Sequence, residues 1–410
     1  MIEYMPGLLC WNIHTVWLAL VFWLCSGAVF CGPVDQHATS ETKNLYYSLK
    51  TFARDPNKVL FGHQEDTWSG GEGGHAPYQT YSHNGSIQGW WFKTGQVDSY
   101  AQDELSDVKR VTGEYPAVIG FDFTNFEPDK LKIMTYLVKK AHEKGLVVTI
   151  LQHNSNPVTG GSLRIEQDHG NVLHTIKRLL PGGDHNAVYR QNLDKIAGWA
   201  HSLKDKHGRL IPVIFRPLHE QNGGWFWWGL NNKAHNSPQD LKDLFKYIVT
   251  YLRDHKAVRN FLYCISPDKF TSKDDYLKIY PGDDYVDIVG TDFYYVDKWS
   301  TKDQFKRIIT DIVEIAEARD KIPALTESGL FYNGINQQHQ FWNDHVLDIL
   351  KSTSTTRRLA YVLAWANKCW TDVCQLWVPY RGHPAAGSFK SHFYNDAMTV
   401  FGNGLHNIYG

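Results

Sequence analysis

Short apolar runs punctuate the chain from Val59 onward, and most are separated by amphipathic segments with a helical period. Val59-Leu-Phe-Gly-His63, Ala117 to Phe123, Leu146 to His153 and Val213-Ile-Phe215 have the length and apolar character of buried strands. Phe261 to Ile265, Val286 to Tyr294, Pro323 to Glu327 and Leu359 to Trp365 add four more. Pro128 opens a helix with Leu131, Met134, Leu137, Val138 and Ala141 on one face, and Gly145 stops it. Ser237-Pro238 caps another, with Asp240 in its first turn. A third, Lys302 to Arg319, carries Phe305, Ile308, Ile309, Ile312 and Ala316 along one side. Further helices are expected near 42–52, 99–112, 187–206, 340–351 and 392–401. Long loops are expected over 64–97 and around Gly160-Gly161 and Gly182-Gly183.

Eight strands divided by helices predict an α/β fold, a parallel sheet covered on its outside. Eight is the number that closes as a (β/α)8 TIM barrel. The competing fold is an open doubly wound sheet, but no glycine-rich phosphate fingerprint follows the first strand, where Gly62-His-Gln stands. Nothing between the units reads as a linker, so the pattern predicts a single catalytic domain with long βα loops over 29–410.

A length of 410 residues allows two average domains or one large barrel, so it does not decide between them. The 42 basic and 43 acidic residues are interspersed, which leaves no basic stripe for nucleic acid. The 15 Trp and 22 Tyr exceed ordinary usage and suit either a packed core or a cleft that grips sugar rings. An apolar run from Val16 to Phe30, followed through Ser26-Gly-Ala28, reads as a signal peptide over 1–28. Glu3, and the lack of Lys or Arg before the run, argue instead for an uncleaved anchor. The expectation is a secreted protein, monomeric, with no membrane segment in its mature form. Cys369 and Cys374 are spaced to bridge in an oxidising compartment, whereas Cys264 sits in a strand pattern and reads as a buried thiol. Asn84-Gly-Ser86 is a glycosylation sequon.

In a barrel, chemistry gathers at the C-terminal ends of the strands. Those positions hold His63, Asp122, His153, Glu220, Asp292 with Tyr294, Glu327 and Trp365, joined by Asp268 just past the fifth strand. Two carboxyls there suit glycoside hydrolysis, one kept protonated and the other ionised. A separation of about 5–5.5 Å would mean retention of configuration, a larger one inversion. Metal-assisted hydrolysis with His63, His153 and His219 as ligands is the rival. It lacks the paired histidines usual on the first strand, where His63-Gln-Glu65 stands, and adjacent strand residues such as His219 and Glu220 point to opposite faces unless a bulge intervenes. No metal or other cofactor is therefore expected.

The segment Arg216-Pro-Leu-His-Glu-Gln-Asn-Gly-Gly-Trp-Phe-Trp-Trp-Gly229 resembles the acid/base motif of glycoside hydrolase family 26. Phe61-Gly-His-Gln64, Gly290-Thr-Asp-Phe-Tyr294, Thr326-Glu-Ser-Gly329 and Trp377-Val-Pro-Tyr380 match further family motifs in the same order. The resemblance implies a retaining endo-β-1,4-mannanase acting on mannan or glucomannan, a polysaccharide substrate. It assigns Glu220 as acid/base, Glu327 as nucleophile and Tyr294 as the group holding Glu327 in line. It makes His219 a tuner of local charge and His153 a sugar ligand, with Trp225 and Trp365 lining the position where the ring distorts. A β-1,3-xylanase or mixed-linkage β-glucanase would use the same site.

Arg216 and Asp292 read as orienting groups, and Asp268 as a turn former. Trp227 and Trp228 read as packing, and His63 as either a core histidine or a ligand contact. Trp90 and Trp91 read as a distal sugar platform or as loop anchors. Family members often carry Trp-Arg-Asn after the eighth strand. Here the sequence is Trp365-Ala-Asn367, which removes a cation from that end of the cleft.

Overall fold

The structure is a computed structural model describing residues 32–71, 78–83, 86–92, 97–98, 106–124, 126–296, 300–331, 334–370 and 373–410. At 78–98, 129, 369, 370 and 373 the description is of backbone alone. The expected signal peptide, Cys31 and Asn84 lie outside the described residues. Pro33–Gly410 forms one compact unit.

Helix α1 (Ser40–Arg54) is capped by the Thr39 hydroxyl, which accepts from Thr42 N, and leads into β1 (Val59–Gln64). The predicted loop that follows contains a small antiparallel sheet of β2 (Tyr78–His83), β3 (Ser86–Phe92) and β4 (Val97–Asp98). That corrects the loop reading: the segment carries too few apolar alternations to announce strands. Helix α2 (Asp107–Thr112) precedes β5 (Val118–Phe123), and α3 (Pro128–Glu143) precedes β6 (Val147–Gln152). The second long loop holds a short helix, α4 (Thr175–Leu179), before α5 (Asn186–Ser202) and β7 (Val213–Arg216).

Helix α6 (Pro238–Thr250) starts at a full capping box between Ser237 and Asp240, and β8 (Phe261–Ile265) follows. Then come α7 (Lys273–Leu277), β9 (Ile288–Tyr295), α8 (Lys302–Glu317), β10 (Ile322–Leu330), α9 (Asp348–Lys351) and β11 (Tyr361–Ala364). A hairpin of β12 (Lys368–Trp370) and β13 (Val373–Gln375) rises from the end of β11. The closing helix, expected near 392–401, lies earlier in the chain. A turn at α10 (Ala386–Ser388) continues as a π-helix over Phe389–Tyr394, and Thr399–Val400 forms β14, parallel to β1.

Strands β1, β5, β6, β7, β8, β9, β10 and β11 pair in that order, all parallel, and β11 returns to β1 to close the barrel. Strand alternation divides the residues. Leu60, Val118, Val147, Ile214, Leu262, Cys264, Ile288, Ile322, Tyr361 and Leu363 form one buried cluster inside. Phe61, Ile119, Val148, Phe215, Tyr263, Val289, Leu325 and Val362 belong to the larger cluster between barrel and helices. Leu45, Tyr46, Leu49 and Ala53 of α1 join the inner cluster. The apolar filling lies at the strands' N-terminal halves, and continuing each inward row toward the other end gives polar groups.

Cys264 is a free, buried thiol, as its strand pattern predicts, and burial pushes its pKa up. Cys374 is disulfide-bonded, and Cys369 is the residue directly opposite it in the hairpin register.

Candidate active site

The inward row of β7 runs from Ile214 to Arg216, which is buried. On β9 the same alternation takes Ile288 and Gly290 to Asp292 and Tyr294, and Phe293 and Tyr295 point to the outer cluster. On β10 it would bring Thr326 inward and send Glu327 out. The pairing register of β10 shifts between Leu325 and Glu327 against β9, the signature of a bulge that resets the row. Both residues therefore face in: Thr326 Oγ1 donates to Asp292 Oδ1 at 2.7 Å, and Glu327 reaches Arg216 and Tyr294.

Glu220 lies four residues beyond the end of β7 rather than at it. Leu218 and Glu220 adopt left-handed backbone, φ 55° and 50°, so the chain reverses twice and strand alternation no longer applies to His219 and Glu220. The Glu220 amide donates to the Ser266 carbonyl at 2.7 Å, fixing the turn to the end of β8. Trp225 then folds back, its indole Nε1 donating to Glu220 Oε2 at 2.7 Å. Gly223 permits this, because a Cβ there would stand 2.3 Å from the Trp225 ring.

Carboxylate oxygens of Glu220, Asp292 and Glu327 lie within 4.8 Å of one another. Arg216 sits among them. Its Nη1 donates to both oxygens of Asp292 at 2.9 and 3.1 Å and to Ser266 Oγ at 2.9 Å, and its Nη2 bonds Glu327 Oε1. Burial opposes the guanidinium charge, yet Asp292 and Glu327 outweigh it and hold Arg216 protonated. Tyr294 donates its hydroxyl to Glu327 Oε2 at 2.7 Å. Burial and the charges of Glu327 and Glu220 push its pKa well up, so it remains a donor. Both Glu327 oxygens are thus held by donors. Glu220 differs: burial first, then the charges of Glu327, Asp292 and Asp268, push its carboxyl well above the usual range. One acid tends to stay protonated while the other stands in a cationic, donor-rich setting, which is the pairing that acid-assisted displacement requires.

His153, at the end of the inward row of β6, bonds Asp122 of β5 through Nδ1 at 2.7 Å and through its amide at 3.0 Å. Its ring meets His219 edge-on at 4.6 Å and Trp365 at 6.2 Å. Burial, then the neighbouring His153, pushes His219 well below the ordinary histidine value. His219 is thus held towards its neutral form and brings no positive charge to the turn that carries Glu220. Trp227 and Trp228 pack beneath the loop, donating to Asn154 O at 3.0 Å and His219 O at 2.9 Å, and Phe226 stacks on Trp228 at 4.5 Å. Trp90 and Trp91 fall in β3, where only backbone is described.

His63 is a core histidine, fully buried with Nδ1 2.6 Å from Asp66 Oδ1, so it does not join His153 and His219. Asp268 has its backbone tied to Asn222, as a turn former would. Its carboxyl, pushed up to about 6 by burial against the opposing pull of Lys269, also adds negative potential at Glu220. Gly329 and Trp377 account for two motifs at once. A Cβ at Gly329 would meet the Trp377 ring at 2.0 Å, and that ring packs 5.1 Å from Tyr294. Asn367 fixes the Trp377 segment by accepting from the amides of Trp377 and Val378, and it donates to the buried Asp107. Ala366 is buried, and the cation beside Trp365 is Lys368 instead: its Nζ lies 5.7 Å from the indole centroid and 3.5 Å from Glu65. Sequence reasoning missed Lys368. The three-residue spacing from Trp365 was the only hint, and it is informative only once β12 is known to turn back.

The profile of glycosyl hydrolase family 26 matches residues 34–366. The mannan endo-1,4-beta-mannosidase of Bifidobacterium adolescentis is 33% identical over 385 residues, spanning 87% of this chain and 34% of that protein. The chain therefore covers about a third of that relative's length. A mannan endo-1,4-beta-mannosidase of Bacillus subtilis strain 168 is 27% identical over 355 residues, 81% of this chain and 89% of the relative. Among solved structures, the catalytic domain of an endo-beta-1,4-mannanase from Bacillus sp. JAMB-750 superposes with a TM-score of 0.76 at 31% identity, covering 92% of this chain and 95% of that one.

Proposed function

The chain belongs to glycosyl hydrolase family 26, whose profile covers most of it, and on that premise we propose that this glycoside hydrolase cleaves internal β-1,4-mannosidic bonds of mannan and glucomannan with retention. The observation that carries the mechanism is the approach of Glu220 and Glu327 within 4.8 Å, the short separation expected of a retaining pair rather than an inverting one. The named relatives, described as mannan endo-1,4-beta-mannosidases, support the choice of sugar.

In the first step Glu327 attacks the anomeric carbon while Glu220 gives its proton to the departing glycosidic oxygen. The C–O bond breaks and a glycosyl ester forms on Glu327. In the second step Glu220, now ionised, takes a proton from water. The water oxygen attacks the same carbon, and Glu327 leaves as carboxylate. Arg216 and Tyr294 hold the Glu327 oxygens in line, Trp225 orients Glu220, and His153, His219 and Trp365 border the reacting sugar. The protein is further proposed to be exported by its apolar leader and to act as a monomer.

A panel of β-1,4-mannan, β-1,3-xylan and mixed-linkage β-glucan with product sizing tests the substrate. Mannan is expected to yield oligosaccharides of intermediate length whose new ends carry the β configuration when first formed. Preference for either other polymer would overturn the mannan assignment, and α-configured ends would overturn retention.

The alkaline limb of kcat/KM is expected to belong to Glu220, since activity requires its proton and falls as pH rises through its raised pKa. In Glu220→Gln, assayed on a substrate with an activated leaving group, that limb should vanish. A limb that persists unchanged assigns it to another group. The same shift affects stability. A carboxyl whose folded pKa exceeds its unfolded value contributes fully below the ordinary 4.5, and loses that contribution as pH climbs toward the folded value.

A further inference from the structure

Behind Tyr294 lies a stretch of chain with no secondary structure to place it. Leu376-Trp-Val378 follows β13 and joins neither strand nor helix. Side chains hold it instead. Asn367 Oδ1 accepts from the amides of Trp377 and Val378 at 2.7 and 3.1 Å, and its Nδ2 donates to the Val378 carbonyl at 3.1 Å. Trp342 Nε1 donates to the Trp377 carbonyl at 2.7 Å. The Trp377 ring is the wall on which Tyr294 rests, 5.1 Å from it, and Gly329, two residues past Glu327, leaves the room for that ring.

Asp107 clamps this stretch from two sides. It is fully buried in the first turn of α2, and one of its oxygens, Oδ2, takes two donors at 2.7 Å, the Gly71 amide and Asn367 Nδ2. Asn367 carries the hold to Trp377 and Val378. Gly71 carries it to Leu376, whose Cδ2 lies 2.5 Å from where a Cβ at 71 would stand. Burial pushes the Asp107 carboxyl up to about 7, against the pull of those two donors. For packing alone such an acid is a poor choice, since an apolar side chain fills space without the cost of desolvating a polar group. Protonation leaves the clamp intact. Oδ1, which has no hydrogen-bond partner among the described residues, can take the proton while Oδ2 still accepts.

We propose that Asp107 is a positioning residue for the displacement: through Asn367 and Trp377 it sets the place of Tyr294, and through Tyr294 the aim of Glu327. This rests on the reading of Glu327 as the nucleophile, held by Tyr294. The bonds of Asp107 are to Gly71 and Asn367, so it supplies alignment and no proton.

The test is a double-mutant cycle in kcat, measured on the polysaccharide that the wild-type enzyme cleaves best. Asp107→Ala is expected to lower kcat about tenfold with KM changed less than about twofold, short of the hundredfold or so that about an ångström of misplacement can cost. Tyr294→Phe, which removes the bond to Glu327, should lose about tenfold or more. In the Tyr294→Phe background, Asp107→Ala should then cost less than about twofold, because the bond it aligns is already gone. Asp107→Asn keeps an acceptor oxygen without the charge and should restore most of kcat. Should Asp107→Ala fail to fold, Asp107→Ser, smaller yet suited to a helix start, takes its place in the cycle. Losses from Asp107→Ala and Tyr294→Phe that simply multiply would overturn the proposal and mark a structural residue. Wild-type kcat in Asp107→Ala, or an Asp107→Asn as slow as the alanine variant, would overturn it too. Glu327→Ala, run beside the cycle, separates the two failures. If it keeps activity, the nucleophile assignment falls and the proposal with it; if it is inactive while the losses multiply, only the role of Asp107 falls.

Discussion

Glu327→Ala is expected to lose about a million-fold in turnover on every substrate, whatever its leaving group, because the bond-forming atom itself is removed. Glu220→Ala should behave differently. On polymeric mannan it loses general acid catalysis, about a hundred- to ten-thousand-fold. On an aryl glycoside whose leaving group needs no proton, the first step survives and the second slows for want of a base. The measurement is a pre-steady-state burst of phenol close to one equivalent of enzyme, with a sugar ester on Glu327 seen by mass spectrometry of the Glu220→Ala protein. Near-normal activity of either variant on mannan, or a burst from Glu327→Ala, would reverse or void the assignment. The asymmetry follows from the site itself. Arg216 and Tyr294 donate to Glu327, whereas Glu220 has one indole donor and three acidic neighbours.

Arg216→Met is expected to produce the largest loss of stability of any single substitution in the cleft. The guanidinium is buried, chelates Asp292, reaches Glu327 and bonds Ser266. Removing one member of a buried ion pair strands the other, at about 3–5 kcal/mol, against a total folding stability of about 5–15 kcal/mol. Burial already raises the Asp292 pKa against the pull of Arg216, and without that pull it rises further. An acid with a raised folded pKa contributes most below its unfolded value of about 4 and loses that contribution as pH rises. Denaturant unfolding of the variant should therefore give its smallest deficit near pH 4 and a growing one toward pH 8. A deficit under about 1 kcal/mol across that range would mean that water, not Arg216, satisfies Asp292.

The barrel was legible because its signals are local. The capping box at Ser237 and Asp240, the apolar face of α8 and the strand Phe261–Ile265 each follow from a few neighbouring residues. The positions of the two glutamates were legible in outline only. Alternation along β7 was expected to separate His219 from Glu220, but the strand ends at Arg216 and two left-handed residues take over. Alternation along β10 would have turned Glu327 outward, and the bulge that corrects it depends on partner strands, not on its own sequence. Arg216 finds its acids 76 and 111 residues away, a distance no periodicity encodes. The small sheet β2–β4 has too little alternation to be seen before it pairs. Lys368 was overlooked because its partner Glu65, at the end of the adjacent strand β1, comes from the opposite end of the chain.

The left-handed backbone at Glu220 sets protein engineering against catalysis. A non-glycine residue held there is strained by about 1–2 kcal/mol, and this one is also a buried acid among acids. Glycine would relieve both penalties. Directed evolution that rewards heat resistance alone would thus drift toward discarding the proposed acid/base residue, and a thermostable descendant of this chain is useful only if every round of selection also demands turnover.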